Sequence, residues 1–172
     1  MKHCKKHPEG MGTKMKIERL RALLVGATML VGASAQAEEL SAYPPGGKST
    51  SIPSGQLKFS DTGARGVDGK TKIEFADVYG NMATGRHGSF FTFTPGFVSP
   101  VHSHTYDYYA VVLKGEVANY QPGEKPIKLG PGSYWYQVGK QAHITACYSK
   151  IPCEIFIVQS SKFDAQIPPV TE

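Results

Sequence analysis

Helical periodicity is missing from the chain beyond residue 37. No stretch there repeats apolar residues at a spacing of 3.6, so bundles and alternating β/α folds are excluded. Long apolar runs are missing as well. The run Ala22–Gly32 (ALLVGATMLVG) has 11 residues, short of the about 20 that a membrane-spanning helix needs. No P-loop, GxGxxG or nucleophile-elbow pattern occurs, and no internal repeat. The motif grounds for nucleotide binding or serine hydrolysis are therefore absent. Cysteine is scarce, with three in 172 residues.

The apolar run does fit a targeting segment. Lys14, Lys16, Arg19 and Arg21 form a basic region before it, and Ala35-Gln36-Ala37 supplies small residues after it. Residues 1–37 are thus expected to be a signal peptide, cleaved before Glu38, with Met1, Met11 and Met15 all candidate starts. An uncleaved membrane anchor is the alternative, and the AxA-like site argues against it. The mature protein is then periplasmic or secreted, with no membrane association after cleavage. Removing the seven Lys/Arg and two Asp/Glu of the leader from totals of 19 and 14 leaves 12 of each, a net charge of zero. The formal +5 of the whole chain therefore carries no argument for nucleic acid, and no basic patch supports one. The remaining length of about 135 residues suits one domain.

Residues 38–54 (EELSAYPPGGKSTSIPS) are rich in Pro, Gly and Ser and are expected to be an extended arm, with the folded domain spanning 55–172. Aromatic and β-branched residues then cluster in short runs: 72–79, 89–94, 108–113, 116–120, 133–138, 143–148 and 154–159. Turn signals separate them, including Asp68-Gly69, Pro95-Gly96, Lys114-Gly115, Pro122-Gly123 and Gly130-Pro131-Gly132. Seven or more closely spaced strands predict an all-β sandwich or barrel.

Histidine is the informative residue. His3 and His7 go with the leader, leaving His87, His102, His104 and His143. Residues i and i+2 of a strand share a face, so His102 and His104 present two imidazoles to one point. His143, one short hairpin later, can add a third and leave positions open for water or substrate. Such a site takes a divalent transition metal, with Fe, Mn, Zn, Ni and Cu all compatible.

At these residues the chain resembles the cupins, a superfamily of small jelly-roll β-barrels. The first cupin motif has Gly, five residues, HxH, three or four residues, Glu, six residues, Gly. Gly96, His102-Ser103-His104, Tyr108 and Gly115 reproduce that spacing, with Tyr108 in place of the glutamate ligand. The second motif has Gly, five residues, Pro-x-Gly, two residues, His, three residues, Asn. Gly132 and His143 match it, while Val138, Lys140 and Cys147 stand at the Pro, second Gly and Asn positions. The phrases His-Ser-His-Thr-Tyr-Asp-Tyr-Tyr and Gly-Ser-Tyr-Trp-Tyr-Gln resemble a group of exported single-domain cupins of unassigned function. The resemblance implies a single cupin barrel and brings no substrate.

The fourth ligand stays open. A site of three histidines alone is similar to that of the thiol- and diketone-cleaving cupin dioxygenases, and it ranks first. Asp107 is the better anionic ligand but needs a bulge to turn inward. Tyr108 has the inward parity of the histidines and ranks third. His87 is either a pocket base, a donor orienting a ligand, or a surface turn histidine. Tyr106, Tyr109, Tyr134, Trp135 and Tyr136 are candidates for a pocket wall or for core, and Gln137 for a polar pocket residue. Cys147 and Cys153 flank a five-residue connection and are expected to form a cross-strand disulfide in an oxidising compartment, with Cys147 as a metal ligand the rival.

Two function classes follow. One is an enzyme on a small organic substrate: a metal-dependent dioxygenase-type oxidoreductase, or an isomerase or lyase. The other is a binding or sensor module without turnover. A homodimer is compatible with either.

Overall fold

A computed structural model of the chain describes residues 49–170. The leader and residues 38–48 of the arm lie outside the described residues. After a single 3-10 turn (Ser54–Gln56) come eight strands. They are β1 (Ser60–Arg65), β2 (Lys72–Gly80), β3 (His87–Phe93), β4 (Tyr108–Lys114), β5 (Val117–Tyr120), β6 (Tyr134–Gln137), β7 (Ile144–Cys147) and β8 (Cys153–Gln159). All pair antiparallel. Every strand that the apolar runs mark is present. β1 was not marked because its sequence, SDTGAR, has no apolar alternation. It holds to β2 as an exposed edge, where Thr62 Oγ1 donates to the Ile73 carbonyl at 2.9 Å.

Six strands form one sheet in the order β1-β2-β3-β8-β4-β6, and β5 and β7 form another. Isolated bridges extend the smaller sheet. Leu129 pairs with Val117 beyond β5, Val98 and His102 pair with Ala146 and His143 beside β7, and Ser103 pairs with Gln166. The larger sheet ends on β1 and β6 without closing on itself, so the expected barrel is a two-sheet jelly roll.

Strand alternation decides what the sandwich buries. On β4, Tyr108, Ala110 and Val112 face inward while Tyr109, Val111 and Leu113 are exposed. β8 buries Cys153, Ile155, Ile157 and Gln159 in the same way. These residues meet Phe91, Phe93, Phe97, Val117 and Trp135 in one core cluster. Truncating one of its phenylalanines to alanine costs about 3–5 kcal/mol. Cys147 and Cys153 are joined as a disulfide, with Cα atoms 5.8 Å apart. β7 and β8 lie in different sheets, so this cross-strand link staples the two layers together and does not close a hairpin. It also removes the Cys147 thiolate, and with it the alternative of Cys147 as a ligand.

Candidate metal centre

His102 and His143 face each other across an isolated bridge: His102 N donates to His143 O at 3.1 Å, and His143 N to His102 O at 2.9 Å. His104 lies two residues on, on the same side, as strand parity requires. The ring centroids are 4.2 Å apart for His102–His143, 4.9 Å for His102–His104 and 5.1 Å for His104–His143. One ring nitrogen from each lies within 4.8 Å of the other two, a group able to hold a metal ion.

The turn before His143 explains how the third imidazole arrives. Lys140 stands where the motif's second glycine would, and it adopts φ 61°, the left-handed geometry that glycine favours. Its N–H donates to His104 O at 2.6 Å. At Gly139 a Cβ would come within 2.7 Å of the Thr105 carbonyl oxygen. The close approach requires glycine there, and it seats the turn against the segment carrying His104.

Each imidazole is held by its Nδ1. That of His102 donates to Pro100 O at 3.0 Å, with Ser99 Oγ at 3.3 Å. That of His143 donates to Gln141 O at 3.0 Å, and that of His104 donates to Asp164 O. A carbonyl oxygen only accepts, so every Nδ1 carries the proton and every Nε2 is a bare lone pair. His143 Nε2 is buried with no hydrogen-bond partner, an orphan that costs about 1–3 kcal/mol unless something satisfies it. A divalent cation fits that donor set. Burial, with repulsion from His102, lowers the pKa of His104 to about 4 and that of His143 to about 3. His102 is lowered by burial too. All three are neutral near pH 7 and ready to ligate.

Beside the histidines lies a cavity of about 230 Å³. His102 and His104 line it together with Phe91, Phe97, Tyr108, Trp135, Ile155 and Phe163. Of the aromatic residues considered for its wall, Trp135 reaches it. Tyr106, Tyr109, Tyr134 and Tyr136 are exposed on the outer face, where Tyr109 and Tyr136 stack at 4.8 Å. Strand alternation on β6 separates Trp135 and Gln137 from Tyr134 and Tyr136.

Asp107 also points outward. It accepts from Gly139 N at 2.7 Å and from Tyr136 Oη, which together hold its carboxyl below the usual range. It is outside the histidine group. Tyr108 is buried and faces the histidines, its ring 5.2 Å from that of His104. Its hydroxyl accepts from Trp135 Nε1 at 3.4 Å, and burial raises its pKa, so the phenol keeps its proton. Gln137 sits behind the site and does not line it. Its Nε2 donates to Gln141 O, the carbonyl that orients His143, at 3.2 Å.

His87 is fully buried, which rules out a surface turn. Its Nδ1 meets Ser89 Oγ at 2.8 Å and its Nε2 meets Gln159 Oε1 at 3.2 Å. It touches none of the three histidines through a hydrogen bond and belongs to a separate polar chain ending at Asp77, to which Ser89 donates.

The sequence pattern missed the segment after β8. Phe163 packs on His104 at 4.6 Å and on Phe91 at 5.2 Å. The Asp164 carboxylate accepts from Thr105 N at 2.8 Å and Thr105 Oγ1 at 2.5 Å while its carbonyl orients His104.

A family model described as a domain of unknown function (DUF4437) matches residues 63–164. No curated protein matches the chain. Among solved structures, the polyketide cyclase RemF from Streptomyces resistomycificus is similar, with TM-score 0.57 and 15% identity over 69% of this chain and 84% of that one. A predicted oxalate decarboxylase from Thermotoga maritima gives 0.52 at 16% identity, over 65% and 99%. An RmlC-like cupin from Shewanella frigidimarina gives 0.50 at 16% identity, over 66% and 91%. Identities this low speak for the fold alone. The family match spans more than half of the sequence, so this chain belongs to the DUF4437 family and has the cupin fold.

Proposed function

We propose that the protein is an exported, metal-dependent cupin enzyme of the dioxygenase type, acting on a small organic molecule. One observation carries most of this: three Nδ1-anchored imidazoles whose free Nε2 atoms converge beside an apolar cavity. A divalent metal held by His102, His104 and His143 supplies Lewis acidity toward a bound donor atom and, where it is iron, reactivity with dioxygen. The chain's own contribution is orientation and exclusion. The carbonyls of Pro100, Asp164 and Gln141 fix the ring protons, burial keeps the rings neutral, and the cavity wall positions substrate away from water.

Among the described residues, no Asp, Glu or Lys lines the cavity. That leaves isomerase or lyase chemistry without a general base and places it behind oxygenation. The same observation favours a second reading, a binding or sensor module that captures its ligand without turnover.

Elemental analysis of the purified protein, with O₂ uptake by iron-loaded protein on small thiols, diketones and phenols, separates these. His102→Ala, His104→Ala and His143→Ala should each lower metal content sharply, and His87→Ala should not. Full occupancy in a His102→Ala/His104→Ala double variant would refute the metal site. No uptake with any metal, alongside tight ligand binding by calorimetry, selects the sensor.

Export is supported by the leader pattern and by a disulfide suited to an oxidising compartment. An intact mass starting at Glu38 tests it. A homodimer is supported by the outer face of β4 and β6, where Tyr109, Val111, Leu113, Tyr134 and Tyr136 are exposed beside Val158 of β8. Together they offer on the order of 600 Å² of apolar surface, close to the about 800 Å² per partner of a stable interface. Tyr134→Lys should then convert a dimer to monomer by light scattering, and a monomeric wild type would refute the dimer.

A further inference from the structure

The cavity wall is selective in composition. Phe91, Phe93, Phe97, Trp135, Ile155 and Ile157 form it, and all are buried. Its lining cation, Arg65, is already paired: Nη1 and Nη2 donate to the two carboxylate oxygens of Asp61 at 2.9 and 3.0 Å. Of the other polar residues in the lining, Thr62 Oγ1 donates to the Ile73 carbonyl and Tyr108 Oη accepts from Trp135 Nε1, while His102 and His104 stand with Ser99 and Thr145, the last two joined by the Thr145 N–H to Ser99 Oγ bond at 2.9 Å. In the metal-free protein, an unpaired carboxylate or phosphate among these phenylalanines would lose its hydration with no compensating partner.

We propose that the cavity takes an uncharged, ring-containing apolar molecule with one polar atom. The ring lies among the phenylalanines and Trp135, and the polar atom lies at His102 and His104, an orientation that rests on the metal-site reading while the apolar preference does not. Size follows from volume. An apolar cavity of about 150 Å³ holds one benzene ring, so about 230 Å³ holds a ring with a short substituent, roughly 8–12 non-hydrogen atoms. Simple phenols are the chemical class that matches.

The test uses the whole folded protein after chelator treatment, so metal plays no part in the signal. Trp135 is the single tryptophan of the chain and lines the cavity, so its emission reports occupancy. Phenol, 4-methylphenol and 4-ethylphenol are titrated by emission excited beyond their own absorption and by calorimetry, with oxalate and glucose 6-phosphate as anionic probes. Each added methylene should tighten binding about fourfold, with the anions at least about a hundredfold weaker. Ile157→Phe, which fills the cavity, should weaken 4-ethylphenol at least about tenfold with an unchanged far-ultraviolet spectrum. Should that variant fail to fold, the wild-type series still decides. A flat series, anions binding as tightly as phenols, or phenols binding without changing Trp135 emission would each overturn the proposal. Loss of the metal site with the phenol series intact would refute the metal reading alone, and the reverse would refute this one alone.

Discussion

Acidification should destabilise the metal-free protein well above the pH at which most carboxylates titrate. His104 and His143 have folded-state pKa values of about 4 and about 3, against 6.5 for an exposed histidine. Between those limits the unfolded chain binds more protons than the folded one, so stability falls as pH falls. The contribution is fully kept above pH 6.5 and lost progressively toward pH 4 for His104 and pH 3 for His143. At pH 4.5 the two histidines together remove about 5 kcal/mol, a large share of the about 5–15 kcal/mol that holds an ordinary domain folded. His102, lowered in the same direction by burial, adds to the loss. Urea midpoints from pH 7.5 to 4.5 measure it. A His104→Asn/His143→Asn variant isolates the histidine share, because the asparagine amide can still donate to the Asp164 and Gln141 carbonyls without titrating. The wild-type curve should fall by several kcal/mol more than the variant's. Parallel curves for the two proteins would refute the claim that these imidazoles are buried and neutral. Saturating zinc should move the fall to lower pH, since metal competes with protons for the same Nε2 atoms.

Replacing both Cys147 and Cys153 by alanine should cost about 2 kcal/mol, the loop-closure value for a sequence separation of 6. Urea denaturation reads it, and two free thiols titrating in the denatured, unreduced wild type would contradict the bridge. Gly139→Ala forces a Cβ to within 2.7 Å of the Thr105 carbonyl. It should lower stability by about 1–3 kcal/mol and weaken zinc binding, because the displaced turn carries His143; wild-type zinc affinity by competition titration would argue against that geometry. Phe163→Ala removes a ring packed on His104 and Phe91. It should cost about 2–3 kcal/mol of stability and reduce metal content measured by elemental analysis, while the paired backbone of His102 and His143 persists.

Local rules made the strands and two ligands legible. Alternation places His102 and His104 on one face, and the Gly139–His143 spacing places the third beside them. The same alternation could have split Trp135 from Tyr134 and Tyr136, since neighbours on one strand cannot all face inward. Which set faces inward depends on register: Tyr108 pairs with Gln137, and Ala110 with Trp135, and no short sequence window holds both partners. Asp164 was out of reach for the same reason on a larger scale. It orients His104 from 60 residues away, through a main-chain carbonyl that leaves no side-chain signature. β1 stayed unmarked because an exposed edge strand needs no apolar face.

Those carbonyls also bear on how the site can vary. Pro100, Gln141 and Asp164 hold the imidazoles through atoms that every residue type possesses. Substitution there preserves ligand orientation as long as the backbone keeps its path. The path is kept by the His102–His143 bridge, the Gly139 close approach and the Ser103–Gln166 pairing, all main-chain features, and at position 164 also by the Asp164 carboxylate that holds Thr105. The cavity wall is different, because Phe91, Phe97, Trp135 and Ile157 act through the shape and polarity of their own side chains. Metal binding and ligand choice are thus carried by separable parts of the molecule. A change at Phe91, Phe97, Trp135 or Ile157 should shift which ring-containing molecule binds while leaving metal content untouched, and a change at Gly139 should do the opposite.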